Sequence, residues 1–226
     1  MSELESILSI SPQVHKGSIR KYYKENGMKE TVMYLADKVW DEETRQRADK
    51  AIANRDISSP YYKVLFDLFN IQEHFNQVDS HRKFISMAYD HLKEFVPNMT
   101  QDQVDKHDLS KYDFAQSVGY TARWVHEIDN DCWQKSLNDH YCKEPHHPQF
   151  YWKGEEKSVM EQKFLEESLI DMVASRWERQ LQGDVNVSNY ELVNFDSKYL
   201  LRYLDEDRKK VEGIINAIKS KSIETK

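Results

Sequence analysis

With 226 residues, the chain can bury one sizeable core. Its six glycines, five prolines and many Glu, Lys, Gln and Leu residues favour helix over sheet. A net charge of −7, with lysines dispersed among acids, offers no basic face for nucleic acid, so a small ligand is expected. No apolar run reaches the ~18 residues a membrane helix needs, the start MSELESILSISPQ lacks signal-peptide features, and Cys132 and Cys142 give no disulfide framework, so a cytoplasmic protein is expected.

In chain order, the first 58 residues read as short polar helices over 18–26, 29–39 and 42–54, with a thin apolar content of Val32, Met33, Leu35, Ala36 and Trp40. Residues 1–58 are expected to cap the main domain. At Ser59 the pattern strengthens: SPYYKVLFDLFNIQEHF has Ser59 as N-cap, Pro60 in the first turn and apolar residues all round. The next predicted helix, 79–95, carries Phe84, Ile85, Ala88, Tyr89, Leu92 and Phe95 at helical spacing, with His81 on the buried face and His91 off it. Pro97 ends it, and Thr100 with Gln103 forms a capping-box start for a short helix running into KHDLSKY.

Helices over about 111–128 and 130–141 follow, then the loop NDHYCKEPHHPQFYW. A long helix over 158–182 stops at Gly183. DVNVSNYELVNF reads as loop or a short strand pair, and a last helix covers 196–220. The expected architecture is all-α, a helical bundle with its main domain over 59–183 and with 184–226 packed on it.

The loop alone, with His140, Cys142, His146 and His147, suggests a zinc knuckle, but it lacks Cys-x-x-Cys, and adjacent histidines do not readily face one ion. His107-Asp108 offers one nitrogen and one oxygen ligand. If that turn is helical, Lys111 lies over the same face to meet an anion. His81 is either a satisfied core histidine or a further ligand. Glu167 and Asp171 share a face of the long helix with Phe164, Ser168, Ala174 and Ser175, either as a solvated acidic pair or as groups admitted to a site. Phe150, Tyr151 and Trp152 either stack on a substrate or pack on the bundle; Tyr120 and Trp124 read as core, with Tyr120 in reach of the site.

The order His81, His107-Asp108, Asp171 resembles the HD-domain superfamily of helical metal-dependent phosphohydrolases, and HDLSK is similar to its His-Asp-x-Gly-Lys. A closer likeness is to an HD-like family of unknown function with a His, His-Asp-x-Ser-Lys-Phe/Tyr, a Tyr, Ala-Trp-x-x-His, Asn-Pro-His-His-Pro-x-Tyr-Trp and Glu-x-x-x-Asp-Trp. This chain has His81, HDLSKY at 107–112, Tyr120, His140, EPHHPQFYW at 144–152 and Glu167 to Asp171. It departs in Glu144, in the extra Phe150 and in Met172. The resemblance covers about residues 78–180, with the C-terminal helix outside it.

The resemblance implies an HD-like bundle in which His81, His107, Asp108 and Asp171 hold one divalent ion, Mn, Fe, Co, Ni or Zn, whose bound water attacks phosphorus. Lys111 would neutralise phosphate and Glu167 would orient a ligand. His140 with His146 or His147 would bind a second ion or the substrate, with Tyr120, Tyr151 and Trp152 as weaker substrate contacts. The expected partner is a small phosphorylated molecule, with no nucleic acid polymer and no membrane; a homodimer fits as well as a monomer. The alternatives are a dinuclear iron oxygenase on the same scaffold and a non-catalytic metal-binding or interaction protein.

Overall fold

The computed structural model describes residues 2–224. The fold is all-α, apart from one two-residue hairpin, β1 (Trp152–Lys153) paired antiparallel with β2 (Glu156–Lys157) around Gly154. No helix among the described residues is long and apolar enough to cross a membrane. The chain forms two compact units, one of residues 1–78 and 109–140, the other of 79–108 and 141–226.

The first unit opens with α1 (Glu3–Ser9), which sequence patterning missed although SELE is a capping-box signature: Ser2 and Glu5 cap each other's backbone amides. α2 (Lys16–Tyr34) is interrupted at Gly27, whose φ of 81° breaks the helix near the predicted boundary. α3 (Glu42–Ala53) starts on an Asp41 cap. α4 (Pro60–Tyr62) begins where Ser59 and Pro60 indicate and continues as a wide π turn to Leu68. The predicted break beyond Phe75 falls earlier, at Asn70, which takes a left-handed φ of 57° before α5 (Ile71–Leu92).

Ile19, Val32, Leu35 and Trp40 share one apolar cluster with Val64, Phe66, Phe75, Phe114 and Val118. Residues 1–58 therefore share an apolar cluster with later helices of this unit. α7 (Phe114–Trp124) and α8 (Asp131–Lys143) meet closely at Gly119, where a Cβ would lie 2.2 Å from Ser136 Oγ and 2.6 Å from the Cys132 carbonyl. No side chain fits there.

The second unit packs α6 (Gln101–Lys106), α9 (Gln162–Arg179), α10 (Asn189–Leu192) and α11 (Asp205–Glu224) around Ile85, Leu92, Leu165, Leu169, Ile170, Val173 and Trp177. Thr100 and Gln103 form the expected capping box. The β-branched stretch read as loop or strands contains α10 instead, because Ser188 and Glu191 cap it reciprocally. The buried Glu166 carboxylate accepts the Asn98 and Met99 amides at 2.7 and 3.0 Å, fixing the turn after Pro97.

Candidate metal centre

α6 ends at His107, and Asp108 adopts φ +59°, the left-handed region an L-residue enters at a cost. The turn is thus not helical, and the i+3/i+4 argument that set Lys111 over this pair does not hold. Arg82 braces it, donating from Nε to the His107 carbonyl at 3.0 Å and from Nη2 to the Asp105 carbonyl at 2.5 Å. These bonds satisfy acceptors that the helix end leaves open.

In the second unit the turn faces α5 and α9. His81 Nε2 lies 3.1 Å from Asp171 Oδ1 and 3.8 Å from Asp108 Oδ2, and His107 Nε2 lies 3.5 Å from Asp108 Oδ2. His107 and Asp108 are 1% exposed and His81 is 7% exposed. Each imidazole has a carboxylate at its other nitrogen. His107 Nδ1 lies 2.9 Å from Glu167 Oε1, while Gln103 Nε2 donates to Glu167 Oε2 at 2.8 Å. His81 Nδ1 sits 3.5 Å from Glu178 Oε2, an ion-pair contact too long for a good hydrogen bond, and Ser80 Oγ donates to Glu178 Oε1 at 2.6 Å. A neutral His107 donating from Nδ1 to Glu167 would turn the lone pair of Nε2 inward, the tautomer that a bound cation requires.

His146 enters from the loop. Its Nε2 is 3.7 Å from Asp108 Oδ1, its Nδ1 is 3.5 Å from Glu167 Oε1, and its ring centre is 4.4 Å from that of His107. The neighbouring His147 has a different role: it accepts a hydrogen bond at Nδ1 from Arg202 Nη2 at 2.9 Å, which requires that nitrogen to be unprotonated.

The electrostatics separate the two inward histidines. Burial alone would lower the His81 pKa, but Asp171 and Glu178 outweigh it and raise the value to about 9. Burial would likewise raise the Asp171 carboxyl, yet the His81 contact holds it well below the ordinary value. His146 moves the other way, to about 4, because burial and then the His107 charge oppose its protonation more than the carboxylates favour it.

The donor set could hold a metal ion. Metal bonds of about 2.1 Å at tetrahedral or octahedral angles separate donor atoms by about 3–3.5 Å, close to the distances across His81, His107, Asp108 and Asp171. His81, His107 and Asp108 offer donors within 4.8 Å of one another, as do His107, His146 and Glu167. The buried Nε2 of His107 has no hydrogen-bond partner among the described residues, an omission costing about 1–3 kcal/mol unless something binds there. Both groups include His107, which meets Asp108 through Nε2 and Glu167 through Nδ1.

The remaining predicted residues are placed as follows. Lys111, Tyr120 and His140 belong to the first unit. There, Lys111 Nζ lies 5.4 Å from the Tyr120 ring centre, His140 is edge-on to the same ring at 5.9 Å, and His74 stacks on it while its Nε2 contacts the Lys111 carbonyl at 3.0 Å. Cys142 is exposed. Tyr151 packs against the core of the second unit, and Trp152 carries the Lys157 ammonium over its ring at 4.4 Å. Glu178, Arg82 and Arg202 were missed. Glu178 had a signal, since it lies seven residues beyond Asp171 on the same helical face; Arg82 and Arg202 had none.

A family model described as "Family of unknown function (DUF5662)" matches residues 70–217. The match takes in most of α11, so the relationship extends beyond residue 180, where the motifs end. No curated protein and no solved structure matches the chain.

Proposed function

The chain belongs to this family of unknown function, DUF5662, and we propose that it is an HD-type metal-dependent hydrolase of a small phosphorylated substrate such as a nucleotide or phosphate ester. One observation carries the reading: His81, His107, Asp108 and Asp171 converge in one buried cluster, and each imidazole is backed by a carboxylate. A divalent ion held there supplies charge neutralisation and a bound water that ionises near neutral pH. Glu167 fixes the His107 tautomer, and Glu178 orients His81. Asp171 is the most open of the four, its side chain 16% exposed, so substrate approaches from its side. The unpaired Cys132 and Cys142 fit a reducing, cytoplasmic setting.

The test uses protein purified without a histidine tag, analysed for bound metal, reconstituted with Mn, Co or Ni and offered a panel of phosphate esters. Phosphate release is expected from the native chain and is expected to be lost in His107→Ala and Asp108→Ala. Full activity in either variant, or no bound metal together with no phosphate release, sinks the proposal.

A further inference from the structure

Beside Asp171, in the same unit, lies a cleft of about 280 Å³ walled by Ser175, Arg176, Arg179, Phe195, Tyr199 and Arg202. We propose that this cleft binds a phosphate group of the substrate distinct from the one that reacts, so that the ligand is a small molecule carrying two anionic groups. This inference rests on the hydrolase reading for its meaning, but not for its test.

The charge balance is the first argument. Arg176, Arg179 and Arg202 line the cleft, with Asp171 the one carboxylate in its wall, on a chain whose net charge is −7; Arg179 also faces the Glu178 charge. In an acidic protein such a local surplus focuses field lines on anions. Asp171 is also engaged with His81, so it does not neutralise the arginines.

Geometry is the second argument. Arg202 Nη2 donates to His147 Nδ1, and Arg176 Nε donates to the Glu191 carbonyl at 3.0 Å. Arg176 Nη1 also donates to the Gln180 side-chain oxygen, and all three acceptors are neutral. They hold two forks in place while other N–H groups of each remain to bind, and a guanidinium fork matches a phosphate edge with two parallel bonds. A lone carboxylate needs one fork, whereas a phosphate with three terminal oxygens uses several. Phe195 and Tyr199 add apolar wall for the organic part of such a ligand.

Position is the third. Asp171 is both a cleft wall and a member of the metal cluster, so a ligand filling the cleft ends at the candidate centre. The arginines thereby select molecules whose second charge lies a short reach from the scissile phosphorus.

The experiment measures pyrophosphate binding to the full chain by calorimetry after chelation and removal of metal. Binding is expected without metal, to weaken with salt, and to fall at least tenfold in Arg179→Gln and in Arg202→Gln, with Arg20→Gln, on an exposed face of the other unit, unchanged. Circular dichroism checks each fold, and exposed Arg179 serves if Arg202→Gln unfolds. Absence of pyrophosphate binding in the native chain, or binding unchanged in Arg179→Gln, overturns the cleft assignment. Metal titration of the same samples reads the other proposal separately: failure to bind metal, with pyrophosphate binding intact, removes the hydrolase reading and leaves the cleft.

Discussion

The opposed titrations of His81 and His146 predict an unusual stability profile for the metal-free protein. His81 has a folded pKa of about 9 against 6.5 unfolded, so its contribution is complete below pH 6.5 and is lost as pH rises towards 9. His146 has a folded pKa of about 4, so the unfolded chain takes up its proton first and stability is lost as pH falls from 6.5 towards 4. Around pH 6.5 the two slopes oppose one another, so the contribution of this pair of histidines is greatest in that region. Integrating the linkage relation, His81 removes about 2 kcal/mol between pH 6.5 and 8.5. The pair together removes about 1 kcal/mol between pH 6.5 and 5, since His81 still gains slightly over that range. Both rings are buried, so these figures are not heavily screened.

The assay is urea unfolding of chelator-treated protein at pH 5, 6.5 and 8.5. His81→Gln is expected to flatten the alkaline limb and His146→Gln the acid limb. Adding metal is expected to reverse the alkaline limb, because a ligating His81 must be neutral and bound metal then gains as pH rises. Stability that climbs from pH 6.5 to 8.5 in metal-free protein, or an alkaline limb unchanged in His81→Gln, refutes the reasoning.

Glu167→Gln keeps the shape of the side chain but removes the charge behind His107, and is expected to weaken metal affinity 10–100-fold, as read by competition with a chromophoric chelator. Gly119→Ala forces a methyl against Ser136 and the Cys132 carbonyl, and is expected to cost about 1–3 kcal/mol in thermal unfolding.

Much of the fold was legible because local signals agreed with tertiary packing. Ser59-Pro60 and the Thr100–Gln103 box each mark a real boundary, whereas the long helix ends at Arg179, four residues before Gly183, and the apolar periodicity that put His81 on a buried face reflects the packing of Ile85 and Leu92. The failures have physical causes. Asn70 breaks a strongly helical run through a left-handed conformation that Asn tolerates and periodicity does not register. At Asp108 the same conformation defeats a helical extrapolation to Lys111. The cleft arginines were invisible because Arg202 ends a 3-10 helix (Ser197–Arg202) 26 residues beyond Arg176, and only the fold brings them together.

The long helix α9 explains why the acidic pair of the sequence stands apart from a solvated face. Glu167, Asp171 and Glu178 occupy one stripe at spacings of four and seven, which a helix returns to the same side. Their roles differ. Glu167 backs His107, Asp171 meets the inner nitrogen of His81, and Glu178 meets its outer nitrogen. A solvated stripe would face water and show little perturbation, whereas Glu167 is 5% exposed and Asp171 is held ionised against burial. Burying Glu167 and partly burying Asp171 and Glu178 on one helix is costly unless each has a cationic or donor partner. His81, His107, Gln103 and Ser80 supply those partners in the metal-free chain. A bound cation would compensate the same charges more fully, which is the physical reason to seek a metal here before any other ligand.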